Sequence, residues 1–133
     1  MGKSKISIKK VQKAFSAAIR RRDARCMIKD EEPCSGSLEC SHFFTQGSSP
    51  SLMFYPANAY AQCARHHFNH HQKKEPFYMN WLMSTHETAF IEMQSLRHCF
   101  IKYTDELKEK IIKLCNEDRL NELQSLLKME LEK

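Results

Sequence analysis

The sequence predicts a single α+β domain that is mostly helical. Apolar residues recur at spacings of three and four over the first 25 residues and again over the last 30 or so, the period of amphipathic helices. Between these ends, from Cys26 to Asn58, the turn-rich runs "KDEEPCSGS" and "TQGSSPS" bracket short apolar stretches of strand character. At 133 residues the chain has the length of one domain with one core. It divides into a basic helix (1–25), a middle segment rich in Cys and His (26–75), and a helical C-terminal part (76–133).

From Ile6 to Arg25 the sequence reads as a helix. Val11, Phe15, Ala18 and Ile19 fall on one face, basic residues fill the other, and no Gly or Pro interrupts. "LECSHFF" then reads as a short strand and "SLMFY" as a second, joined as a hairpin or by a long loop. Asn58 to Lys74 reads as a loop followed by a short helix that carries the histidines. Pro76 suits the first turn of another helix, with Phe77, Trp81 and Leu82 as its apolar face. "STHE", Ser84 to Glu87, has the form of a capping box opening a helix to about Tyr103. Thr104 is the expected N-cap of the next helix, with Asp105 and Glu106 in its first turn. Leu107, Ile111 and Leu114, then Leu120, Leu123, Leu127 and Leu131, continue the helical period with a break near Asn116. This tail is expected to form an antiparallel helical pair packed on the domain, the alternative being a short coiled-coil dimer contact.

Charge is unevenly placed. Residues 1–25 hold nine Lys or Arg and one acid, whereas the remainder carries twelve basic and fifteen acidic residues, so the net charge of +5 comes from the N-terminal arm. A basic block of this kind attracts polyanions, nucleic acid foremost, although it also suits a solvated helix face. Lys9, Lys10, Lys13, Arg20, Arg21, Arg22 and Arg25, with Arg65 farther on, are the candidate phosphate contacts. No apolar run approaches the ~18 residues of a membrane span, and the expected compartment is the cytoplasm. In a reducing compartment the six cysteines are thiols or metal ligands rather than disulfides.

Five of the seven histidines lie in "ECSHFF" and "NAYAQCARHHFNHH". Cys63 and His66, three residues apart at the entry to a helix, can chelate one tetrahedral zinc ion with a second pair. Cys26 and Cys34 supply that pair, the latter followed by the tight-turn sequence Ser35-Gly36. A structural zinc site of Cys26, Cys34, Cys63 and His66 is therefore expected, with Cys40 and His70 as rival ligands. His67 and His71 stand four apart on the same helix and so share a face, which suits a second, open metal site. His42 on the preceding strand can serve as a general base, its ordinary pKa lying near neutrality. Cys99 and Cys115 read as buried thiols, and His86 and His98 as surface or cap residues.

The order His42, Asn58, His67, with His71 one turn later and paired Cys/His ligands around it, resembles the HNH, or ββα-metal, nucleases. The flanks "FSAAIRRRDARC", "ECSHFF", "PANAYAQC", "EPFYMNWL" and "KYTDELKEKI" resemble the phage recombination endonucleases of the NinG/Rap type. The resemblance spans roughly residues 11 to 115. It implies a ββα-metal core and a metal-dependent DNA endonuclease acting on branched recombination intermediates of phage or prophage origin, in a bacterial host. In that reading His42 activates the attacking water, Asn58 braces the loop that positions it, and His67 and His71 hold Mg²⁺ or Mn²⁺. A homodimer would suit paired cuts. The family commonly has Asp or His directly before the first His, where this chain has Ser41, a poor ligand, so that one metal ligand is missing or Glu39 or Cys40 serves instead. No Arg lies between His42 and Arg65, where related sequences often carry one. A zinc-stabilised DNA-binding or adaptor module without cleavage is the alternative.

Overall fold

α1 (Ile8–Asp23) begins where the Ser7 hydroxyl accepts the Lys10 N–H and ends where Ala24 turns left-handed, at φ 59°. A computed structural model of the chain describes residues 5–72 and 77–133, without the side chains of 71 and 72. The face that α1 buries is the predicted one: Val11, Phe15, Ala18 and Ile19. Beyond it come β1 (Leu38–His42), two short 3-10 turns (Pro50–Leu52 and Pro56–Asn58), β2 (Ala59–Cys63) and α2 (Ala64–Gln72). α3 (Phe77–Thr85), α4 (Glu87–Leu96), α5 (Asp105–Asn116) and α6 (Leu120–Leu131) complete the chain. It is thus mostly helical, with one two-stranded antiparallel sheet among the described residues. No helix among those residues is long and apolar enough to cross a membrane.

The second strand is not "SLMFY". Leu52, Phe54 and Tyr55 are fully buried there, but Pro50 and Pro56 each start a 3-10 turn, because proline fixes φ and offers no N–H to a ladder. β1 pairs instead with "AYAQC", Leu38 facing Cys63 and His42 facing Ala59. Every residue of β2 is buried, with α1 and α2 packed on the sheet. Its two alanines and one glutamine carry little strand propensity, which is why the sequence hides it.

The expected capping box also fails. The Ser84 and Thr85 hydroxyls donate to the Trp81 carbonyl at 3.0 and 2.6 Å and so belong to the end of α3. α4 starts at Glu87 behind His86, with no side-chain cap, and stops at Leu96, well short of Tyr103. Tyr103 packs edge-on against Phe54, and its hydroxyl donates to the Pro50 carbonyl at 2.8 Å.

The C-terminal helices match the sequence expectation. Thr104 caps α5 by accepting the Leu107 N–H, and Leu120, Leu123, Leu127 and Leu131 bury one face of α6. α5 locks the start of α1: Asp105 accepts the Lys5 N–H at 2.8 Å, and the buried Lys108 ammonium donates to the Ile6 carbonyl at 2.8 Å. α6 holds the loop before β2, where Gln124 accepts the Ala57 N–H at 2.8 Å. Glu92 of α4 accepts from the Tyr55 hydroxyl at 2.5 Å and from Lys128 of α6 at 2.8 Å. Cys115 is buried and Cys99 half-buried.

Candidate metal centre and adjoining histidine site

Cys63 ends β2 and α2 begins at the next residue, so the strand and the first turn of the helix fix Cys63 and His66 against each other. The Ser35-Gly36 turn docks on that junction. The Arg65 N–H donates to the Ser35 carbonyl at 3.1 Å and the Ala64 N–H to the Ser37 carbonyl at 2.9 Å. Gly36 is required here, since φ is +85° and a Cβ would stand 2.7 Å from that of Ala64. The turn brings Cys34 to the junction, and the end of α1 brings Cys26.

The four predicted ligands meet. One ligand atom from each of Cys26, Cys34, Cys63 and His66 lies within 4.8 Å of every other. His66 Nδ1 stands 3.6, 3.7 and 3.1 Å from the Sγ atoms of Cys26, Cys34 and Cys63. Around tetrahedral zinc, with bonds of about 2.3 Å to sulfur and 2.0 Å to nitrogen, such atoms stand about 3.6 Å apart. The set fits a metal ion such as zinc in both geometry and donor type. Burial raises the Cys63 thiol, but the N–H groups of His66 and Ser35 outweigh it and bring it down to about 7. Burial, joined by the neighbouring thiols, pushes Cys26 up to about 12. A cation is what would let all three sulfurs ionise together.

Neither rival ligand is in the cluster. Burial pushes the Cys40 thiol up to about 12. His70 meets Gln62 and Asp30 through its two ring nitrogens, at 2.7 and 3.4 Å. Asp30, which stands 3.0 Å from His66 Nε2, is a contact of the cluster that the sequence did not reveal. It lies in "KDEEP", between the two upstream cysteines, where an acidic run reads only as a turn.

His42, at the end of β1, has Nε2 2.8 Å from the Met53 carbonyl. A carbonyl only accepts, so Nε2 carries the proton and Nδ1 is the basic nitrogen. Burial holds the imidazole below its ordinary pKa; the Met53 bond opposes this, and the charge of His67 adds to it. Asn58 is fully buried. Its side chain accepts the Phe44 N–H at 2.8 Å and donates to the Phe44 and Leu52 carbonyls at 3.0 and 3.1 Å. It thereby ties Phe44 and Leu52, on the two arms of the loop that carries Met53, to each other. Asn58→Ala would strand three buried backbone groups, and we expect a loss of about 3 kcal/mol in urea unfolding.

His67 Nδ1 lies 2.8 Å from Glu39 Oε1, and both residues line an open depression of about 650 Å³. Of the predicted open metal site, the His71 side chain lies outside the described residues. Ser41 is fully buried, and its carbonyl accepts the Tyr78 hydroxyl at 2.7 Å. It is not turned to solvent as a ligand, and Glu39 is the acid beside His67.

The predicted basic surface is only partly free. Arg21 pairs with Asp118 at 2.8 Å and donates to the Cys115 carbonyl. Arg22 pairs with Asp23, donates to the Pro56 and Ala59 carbonyls, and lies 4.9 Å over the Tyr60 ring. Arg65 pairs with Glu32 at 3.0 Å. These three serve the fold. Arg20 folds back onto the Ser16 carbonyl of its own helix, while Lys9, Lys10, Lys13 and Arg25 are exposed. Comparison with protein-family models, with curated proteins and with solved structures finds no match.

Proposed function

We propose that the chain is a metal-dependent DNA endonuclease of the HNH, or ββα-metal, type, acting on branched recombination intermediates of phage or prophage origin in a bacterial cytoplasm. The observation that carries this reading is one connected unit, β1–β2–α2. It holds His42 with Nε2 on the Met53 carbonyl, the Asn58 clamp behind it, His67 on the helix, and a Cys3His cluster at the strand–helix junction.

In this reading His42 Nδ1 takes a proton from water, and the resulting hydroxide attacks phosphorus in line as the bond to the leaving oxygen breaks. The lowered pKa of His42 keeps it neutral, and therefore basic, at physiological pH. Glu39 Oε1, 2.8 Å from His67 Nδ1, accepts from that nitrogen and would orient the imidazole as a ligand. Mg²⁺ or Mn²⁺, held by His67 and by His71 through their i, i+4 spacing, would supply charge stabilisation at the phosphate. Arg20 and Arg25, with Lys9, Lys10 and Lys13, would contact backbone phosphates without reading sequence, and a homodimer would suit paired cuts.

The test is cleavage of a labelled four-way junction and of linear duplex by zinc-loaded protein in Mg²⁺, Mn²⁺ or EDTA. We expect cutting that requires the divalent ion and favours the junction. The buried Ser41 favours a second reading, a zinc-stabilised DNA-binding module that does not cut; binding without cleavage in any metal would select it. Replacing Lys9, Lys10 and Lys13 by alanine should flatten the dependence of log affinity on log salt by about 2 to 3. An unchanged slope would remove α1 from the interface.

A further inference from the structure

We propose that Asp30 and His70 are positioning residues of the metal centre, with the Asp30 carboxylate as shared acceptor for the outer N–H groups of His66 and His70. The proton positions follow from groups whose roles are fixed. His66 Nδ1 faces the three sulfurs, so Nε2 carries the hydrogen, and Asp30 Oδ1 and the Glu32 carbonyl both stand 3.0 Å from it. Gln62 Nε2 donates to the Ile28 carbonyl at 2.6 Å, which orients the amide. The same nitrogen, 2.7 Å from His70 Nδ1, must donate there too. His70 Nε2 therefore carries the other hydrogen, and it faces Asp30 Oδ2 at 3.4 Å. The Glu32 N–H donates to Asp30 Oδ1 at 2.9 Å and fixes the carboxylate from its own loop.

The outcome is one directed path, Gln62 to His70 to Asp30, meeting His66 from the other side. It joins β2, α2 and the loop between Cys26 and Cys34. Gln62 is fully buried and the His70 side chain is only 4% exposed. The His70 ring is held between His66 at 5.7 Å and Phe77 at 4.5 Å, nearly parallel to both. A metal-bound imidazole whose other nitrogen donates to a carboxylate is oriented and more basic, and losing such a partner costs about 10–100-fold in metal affinity. The loop between the two cysteines needs its length to carry Asp30 to this position. This inference holds whether or not the protein cuts DNA.

The experiment measures zinc release to a chromogenic chelator from the purified full chain, together with the visible spectrum of the Co²⁺-substituted protein. Asp30→Ala and His70→Ala should release zinc roughly 10–100-fold faster than wild type while the Co²⁺ spectrum keeps its tetrahedral three-sulfur signature. Asp30→Asn retains a single acceptor oxygen for two donors and should fall between. Leu123→Ala, buried in α6, controls for lost stability and should leave the release rate within about twofold of wild type, well below that range. Wild-type release from the Asp30 and His70 variants would overturn the proposal, as would equal acceleration by Leu123→Ala. Loss of the Co²⁺ signature in His70→Ala would make His70 a ligand instead. Should Asp30→Ala fail to fold, Asp30→Asn and His70→Ala decide the question alone.

Discussion

Stripping the metal from the purified protein with a chelator should lower its melting temperature by about 10 °C or more. The segment from Glu31 to Ser37 is exposed throughout and forms no helix or strand. It is held by the Gly36 turn on α2, by the Arg65–Glu32 ion pair, and by Cys34 in the four-ligand cluster. An exposed ion pair contributes at most about 1 kcal/mol, whereas structural zinc binding is worth far more. Losing even about 3 kcal/mol, at ~4 °C per kcal/mol, gives the stated shift. Because the ligands must shed protons to bind, metal affinity should also fall as pH falls. Differential scanning calorimetry with and without chelator, and elemental analysis for zinc, are the measurements. An unchanged melting temperature would mean that the cluster holds nothing of structural weight.

His42→Ala should reduce DNA cleavage by about 10²–10⁴-fold, the usual contribution of a general base, with the fold and the zinc retained. The ring also packs 5.7 Å from Phe15, so His42→Gln, which fills the space better, should accompany it; both should be equally slow. Burial and the charge of His67 hold the His42 pKa below its ordinary value. The cleavage rate in the wild type should therefore rise with pH through a pKa below the usual histidine range and level off before neutrality. The same depression has a stability consequence: the folded state prefers neutral His42, so this contribution is present above the unfolded pKa of about 6.5 and is lost as pH falls from there through the lower folded pKa. A rate profile with no ionisation below about 6.5 would detach His42 from the chemistry.

The metal cluster was legible because ligand chemistry leaves few choices. Thiol and imidazole residues at the end of a helix, in a tight turn and at a helix entry had to converge if they bound one ion. The helices at both ends were legible for a similar reason, since Val11, Phe15 and Ile19, and Leu120 to Leu131, keep a 3.6-residue period. β2 was not legible, because a strand buried throughout loses the polar alternation that marks a strand, and "AYAQC" is weakly apolar. "STHE" misled because serine and threonine hydroxyls can bond back to a preceding carbonyl as readily as they cap the next helix. Arg21 and Arg22 counted as surface charge in the sequence, and only the turn at Asp118 and the position of Tyr60 show that both are occupied. Asp30 carried no signal of its own; its contacts with His66 and His70 appear only once the fold sets its loop against α2.

The most direct test of the central claim compares zinc-loaded wild type and His42→Ala on the same labelled four-way junction, in Mn²⁺ and then with EDTA. The wild type should make specific strand cuts in Mn²⁺ and none with EDTA, and His42→Ala should make none above background while it still binds the junction. No cutting by metal-loaded wild type, or equal cutting by His42→Ala, would contradict that claim.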